Sequence, residues 1–537
     1  MTNLKTLIIK NGCFSESPKH LPKSLRVLEW WKYPSENFPS DFQPEMLCIL
    51  KLPNYVYPSP KLDSLSKKLV SLKVLTFDES DYLKEIPDLS SLQTLQELSF
   101  RWCTSLTTID SSVGFLPKLT RLNANHCDKL RNFPPVIQLP SLEHLNLFGC
   151  TSLEYFPEIE GEMKNVTRLH LLCTGIKDLP FSFRNLSGLW NLCLSGHEMC
   201  KLPSVIGMMP QLLYCYIEGR GNKGRISRKV EEGFQGILTH SLPSQNLGSL
   251  HLINSNLSDE FFQLALAWFP NVKWLDLRGN NFTVLPECIQ QFHFLEKLIV
   301  DDCLYLREIR GLPLNLKKFS AVNCKSLSPR AKSLLANQGL HEGRSTSFLM
   351  PVGTIPRWFE QRRSGGTCIS FWFRGTKFPA KSLCVAILLK DHIPSLREVK
   401  TFLCINGKVT SLDNTGVEQL LIFNMNSLLS CCPPLGEHGW NHAEVVVVEG
   451  RDNDDKKVPS ELIVKEIGMH VVKQNDTSII QDIRFTDPYK MTQVIMMMMM
   501  LSKVLPNHKR QPLLLETCIG LWTLLFLTHT LSGTHTE

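Results

Sequence analysis

The chain has 537 residues, 43% of them hydrophobic and 20% charged, which is ample for a large buried core and unlike a disordered polyelectrolyte. A formal net charge of +7 over that length is too dilute for a nucleic-acid footprint. Eighteen cysteines would suit a secreted disulfide scaffold, a reading that the pattern of the chain does not favour.

From Leu4 to Ala321 the chain spells the apolar core L-x-x-L-x-L, or a close variant, fourteen times. The cores begin at Leu4, Leu25, Leu47, Leu72, Leu95, Leu119, Leu142, Val166, Leu189, Leu212, Leu247, Val272, Leu295 and Leu316, 21 to 25 residues apart with one gap of 35. Such a period predicts an α/β solenoid, a leucine-rich-repeat horseshoe in which each core gives one parallel strand. A strand alternates its side chains, so the leucines face the interior and positions three, five and seven project from the open sheet. Eight residues after the core start fall Cys103, Cys127, Cys150, Cys303 and Cys324, with Asn280 in the same place, where they can satisfy backbone groups of a turn. Five cysteines in one repeat position read as free, buried thiols. A second beat of apolar-proline pairs, such as Ile86-Pro87, Phe156-Pro157 and Leu285-Pro286, predicts irregular return segments.

The projecting positions carry Trp31, Arg101, Arg121, His144, Phe148, Arg168, His170, Tyr214, Tyr216, Trp274, Asp276 and Arg278. Exposed aromatics and arginines anchor protein interfaces, so these twelve are the candidate protein-binding residues, although any open sheet must expose something. Tyr214, Tyr216, Trp274 and Arg278 flank the long gap and are expected nearest the next domain. The gap itself, 219–246, holds Arg220, Lys223, Arg225, Arg228 and Lys229 followed by Glu231 and Glu232. It reads as a solvated insertion, with a contact for an acidic partner as the alternative.

After residue 325 the pattern changes. A connector, 326–346, contains the short helical run Pro329 to Leu335. Then come strand-like runs at Cys368 to Phe373, Leu383 to Leu389, Glu444 to Val448 and Ile467 to Val472, which predict an all-β sandwich domain over 347–480. The remainder, 481–537, includes the run Met496 to Met500 and an apolar stretch, Leu513 to Leu531, interrupted by Glu516 and His529. It is expected to be an irregular or disordered tail rather than a membrane span. Cys431, Cys432, His438 and His442 lack the paired spacing of a structural zinc site, so no metal is expected.

The stretch Phe348-Leu349-Met350-Pro351-Val352-Gly353-Thr354-Ile355-Pro356-Arg357-Trp358-Phe359, with Gly365-Gly366-Thr367-Cys368-Ile369-Ser370-Phe371-Trp372-Phe373 and Phe378-Pro379-Ala380 after it, resembles a known domain. So do Gly439-Trp440-Asn441-His442-Ala443-Glu444-Val445 and Val464-Lys465-Glu466-Ile467-Gly468-Met469-His470. They are similar to the jelly-roll or immunoglobulin-like domain, C-JID, that follows the repeats in plant intracellular TIR-NB-LRR disease resistance proteins. The repeat region resembles the same family, including Leu25-Arg26-Val27-Leu28-Glu29-Trp30-Trp31.

The resemblance implies a C-terminal fragment in which the family's NAD-cleaving and nucleotide-binding domains would precede Met1, and no G-x-x-x-x-G-K-[ST] loop occurs here. It therefore implies no enzyme activity and no cofactor. Its implied partners are a pathogen effector protein and the receptor's own signalling and nucleotide-binding domains, in the cytoplasm and also the nucleus. No secretory leader precedes Leu4, which favours the intracellular setting. Two alternatives remain: a cytosolic repeat scaffold or ubiquitin-ligase adaptor, and the ectodomain of an extracellular repeat receptor, whose glycosylation the sequons at Asn165, Asn185, Asn256, Asn281 and Asn475 would suit.

Overall fold

The structure is a computed structural model that describes residues 3–12, 14, 16–62, 65, 67–196, 206, 209–219, 245–342, 346–365, 368–374, 380–389, 399–406, 408–411, 420–424, 440–449, 464–473 and 483–486. The basic run of the insertion, the cysteine pair Cys431 and Cys432 with His438, and both named stretches of the tail lie outside the described residues.

Each repeat core forms one short strand, and the strands pair in parallel in chain order. The fourth core positions make an unbroken register row, from Leu7 and Leu28 through Leu50, Leu75, Leu98, Leu122, Leu145, Leu169, Leu192, Cys215, Leu250, Leu275 and Leu298 to Phe319. From Leu28 onward every member of that row is buried. Stacking identical apolar positions is what lets a unit too small for its own core share one with its neighbours.

The turn after each strand is built by two adjacent residues. The first adopts a left-handed backbone, with φ between 51° and 60° at Asn11, Lys32, Asn54, Glu79, Trp102, His126, Cys173, Asn254, Asp302 and Asn323. In six repeats the second donates a side-chain hydrogen to the preceding repeat: Cys103 to the Phe77 carbonyl at 3.2 Å, Cys127 to Phe100 at 3.1 Å and Cys150 to Ala124 at 3.1 Å. Cys303, Cys324 and Asn280 repeat the contact to Leu277, Val300 and Leu252 at 3.3, 3.0 and 2.7 Å. These five cysteines are free thiols, fully buried, and each donates to a carbonyl in the core.

Return segments are mostly irregular. They contain two-residue strands, such as Glu85–Ile86 paired with Thr108–Ile109, and 3₁₀ turns at Ser111–Phe115, Phe181–Asn185 and Glu287–Gln291. Pro180 and Pro286 sit at the caps of the latter two. One return departs from expectation and forms an α-helix, Phe261–Trp268, because Phe261, Phe262, Ala265 and Trp268 recur at helical spacing and are all buried. Another short helix, Pro329–Leu335, starts at Ser328, whose hydroxyl accepts from the Ala331 amide.

The sheet does not stop at the last repeat. Ser347–Met350 pairs in parallel with Lys318–Ser320 and, on its other edge, antiparallel with Leu420–Asn424. Ala380–Leu389, Val464–Lys473 and Gln361–Ser364 follow, completing a sheet of 19 strands among the described residues. A second, five-stranded antiparallel sheet contains Lys408–Ser411, Val399–Ile405, Trp440–Glu449, Cys368–Arg374 and Ile483–Arg484. Phe371, Phe373, Val385, Ile387, Leu403, Leu421, Val445, Ile467 and Met469 fill the space between the sheets, giving an all-β sandwich. Ile483–Arg484 lies past residue 480 and still pairs with Trp372 and Phe373. Along one strand Leu383, Val385, Ile387 and Leu389 face the sandwich core, whereas Cys384, Ala386 and Leu388 face the repeat core. Burial on both faces is why that strand reads as a continuous apolar run.

Candidate protein-binding face

All twelve candidate residues lie on or at the edge of the open parallel sheet, and they fall into three groups. At the first, Trp31 donates through Nε1 to Glu29 at 2.9 Å, and Lys10 pairs with Glu29 at 3.3 Å. The Trp31 hydrogen bond, followed by Lys10, holds the Glu29 carboxyl below its usual range. Arg101 is tied to Asp78 at 2.9 Å. Asp78 also accepts from the Ser99 hydroxyl at 2.6 Å and the Arg101 amide at 2.9 Å.

The middle group lines an open groove of about 530 Å³. Arg121, His144 and Arg168 stand side by side in register, with Asn123, Asn146 and His170 in the next row. Arg121, His144, Arg168 and His170 are exposed and Phe148 is half-buried. The Arg168 guanidinium lies 4.7 Å from the Trp190 ring centre. Beside the groove, Trp102 stacks on His126 with centres 3.8 Å apart, and His126 meets Phe148 edge-on at 5.1 Å.

The third group centres on a residue outside the candidate set. His251 packs against Tyr214 at 5.0 Å, Tyr216 at 5.9 Å and Trp274 at 4.7 Å. Its Nε2 is 2.9 Å from the Ser249 hydroxyl and its Nδ1 is 3.4 Å from Asp276. Lys297 sits over Trp274, with Nζ 3.7 Å from the ring centre. Tyr216 donates its hydroxyl to Glu218 at 2.9 Å, and burial with that partner pushes the phenol up to about 12.

Asp276 requires a correction. It projects to the open side as its position demands, but it is fully buried there beneath Arg278, His251 and their neighbours, so it is a support and not a contact surface. In strand order the third group is the nearest of the three to the sandwich, though not against it. The strands Lys297–Ile299 and Lys318–Ser320 separate Trp274 from Ser347–Met350. His251 and Lys297 occupy positions five and three of their cores, so the alternation rule reached them. Trp102 and His126 hold the left-handed turn position, which that rule does not cover.

Residues 138–329 match a family model described as disease resistance protein RPS4B-like, leucine-rich repeats. Over 378 residues the chain is 32% identical to disease resistance protein RML1B of Arabidopsis thaliana, covering 68% of this chain and 32% of that protein. It is 27% identical over 356 residues to disease resistance protein RPS4B of the same plant, covering 62% of this chain and 26% of that one. To TMV resistance protein N of Nicotiana glutinosa it is 28% identical over 356 residues, covering 57% and 30%. The chain therefore spans about a third or less of the length of these relatives. Among the described residues no helix is long and apolar enough to cross a membrane. Its repeats are thus similar to the RPS4B-like leucine-rich repeats of plant disease resistance proteins.

Proposed function

We propose that this chain is the non-catalytic recognition region of a plant immune receptor. In this reading its open sheet binds a pathogen effector protein, and its state is relayed to the signalling and nucleotide-binding domains of the full-length receptor in the cytoplasm and nucleus. The observation that carries it is a long solvent-facing sheet on which aromatic and arginine side chains gather, the chemistry that dominates protein interfaces. A rigid, shared apolar core behind that sheet holds those side chains in place without an ordering cost at binding.

The test is capture of individual secreted pathogen proteins by the purified chain, read by co-precipitation and calorimetry. At least one member of a panel from adapted pathogens is expected to bind. The double change Tyr216→Ala with Trp274→Ala is expected to weaken that complex at least about tenfold. Affinity insensitive to substitutions along the whole open sheet would move recognition to the loops of the sandwich.

A further inference from the structure

The three groups on the open sheet differ in what their charges already do. In the first, Arg101 is spent on Asp78 and Lys10 on Glu29. In the third, Arg278 is spent on Asp276 and Lys297 on the face of Trp274. In the middle group, Arg121, Arg168, His144 and His170 form no ion pair among the described residues, and the contact of Arg168 with Trp190 leaves its charge uncompensated. Glu97 stands in register with Arg121 at the margin of the groove without forming an ion pair to it. Among the described residues, Arg121 and Arg168 against Glu97 leave the groove an excess of positive charge, in a concave site where such a field is focused.

Two further observations point to an occupant. Asn125 lines the groove, and its side-chain carbonyl is buried with no hydrogen-bond partner among the described residues, so an acceptor at the groove wall is left unsatisfied. At the rim, Trp102 is 49% exposed at the left-handed turn position that recurs through the repeats. It stacks on His126, and Gly149 makes room for that stack: a Cβ at Gly149 would lie 2.7 Å from His126 Nδ1.

We propose that this groove docks an acidic, extended segment of a partner protein. Its carboxylates meet Arg121 and Arg168, a backbone N–H reaches Asn125, and an apolar side chain seats on Trp102 and Phe148. Arg121 and Arg168 are two strands apart, roughly 10 Å, which an extended segment spans in about three residues. The proposal rests on the reading of this chain as a protein-recognition region and names the chemistry of what it recognises.

The experiment uses the full chain and a fluorescent glutamate–tyrosine copolymer as probe, with polylysine and a single-stranded oligonucleotide as comparisons. The copolymer is expected to bind and to weaken as salt is raised. It should bind about tenfold more weakly to Arg121→Ala with Arg168→Ala, and severalfold more weakly to Trp102→Ala. The double change to lysine should recover most of the lost affinity, with circular dichroism unchanged throughout. Unaltered affinity in the double alanine variant overturns the proposal. So does an oligonucleotide that binds as tightly and depends on the same arginines, which would mark a general anion surface. Should that happen while Tyr216→Ala with Trp274→Ala still abolishes effector capture, protein recognition stands and only its place and chemistry change. Copolymer binding at this groove by a chain that captures no effector supports the groove and strikes at the receptor reading.

Discussion

Arg278 clasps the buried carboxylate of Asp276 through both Nε and Nη2, at 3.0 and 2.8 Å. Burial alone would push that carboxyl up, but the hydrogen bonds from His251 and Arg278 outweigh it and hold it below the usual carboxylate range. A depressed acid contributes stability that is present above its unfolded pKa, about 3.9, and lost as pH falls through the lower folded value. Arg278→Ala should therefore lower stability at neutral pH by about 2 kcal/mol, less than a fully buried pair costs because Arg278 is itself half exposed. Asp276→Asn should flatten the acid limb of the stability curve. Urea unfolding at neutral pH and near pH 3 checks both, and an unchanged acid limb would remove Asp276 from its supporting role.

The thiol ladder makes a chemical prediction. Burial pushes Cys103, Cys150 and Cys324 up to about 12, and Cys127 and Cys303 well above the ordinary thiol range. The reactive species is the thiolate, so all five should resist iodoacetamide in the native protein and react on unfolding. Cys173 is exposed and should label well before these five. Mass mapping that finds native disulfides among the five, or labelling as fast as Cys173, would contradict the structure.

Whatever follows from a period was legible in the sequence. The fourteen cores, the buried leucine row and the shared role of Cys103 and Asn280 come from spacing alone, because each repeat solves the same packing problem. The returns were legible as irregular from their prolines, but Phe261–Trp268 was not, since eight residues carry too short a helical pattern against that beat. The edge strands Gln361–Ser364 and Lys408–Ser411 were missed for a related reason: they are short and polar and owe their form to partners distant in sequence. On the open sheet, alternation told which side chains point outward but not which are then covered by a neighbour, so Asp276 looked like surface, and the packing that makes the outward-pointing His251 a centre comes from residues in other repeats.

His341 lies fully buried where the connector meets the sandwich. Its Nε2 donates to the Leu335 carbonyl at 2.8 Å, and Phe348 and Trp358 pack around the ring. Desolvation lowers its pKa to about 4, so the folded protein keeps it neutral. A histidine whose pKa is depressed on folding adds stability above its unfolded value, about 6.5, and that stability is lost as pH falls toward the folded value. The expected loss between neutral pH and pH 4 is about 3 kcal/mol. His341→Gln, which retains a donor toward Leu335, should show a shallower decline. Parallel pH profiles for the two proteins would mean that His341 is not the titrating group.

Phe348 joins two packing systems. Its strand pairs Phe348 with Phe319 on one edge and with Ile422 on the other, and its ring lies 5.4 Å from Phe319 and 5.0 Å from His341. Because the strand is shared, a cavity there should be felt in both directions and not only in the repeat that ends beside it. Phe348→Ala is expected to cost about 3–5 kcal/mol. Hydrogen exchange should report a joint loss of protection at Phe319 and Ser320 in the last repeat and at Leu421 and Ile422 in the sandwich. Leu275→Ala, buried in the same register row but strands away, should cost about 2–5 kcal/mol with exchange rising around its own repeat first. Were Phe348→Ala to expose only Leu421 and Ile422, the continuous sheet would be a contact between independent folding units. A joint loss makes the sandwich the structural cap that the repeat array needs at this end.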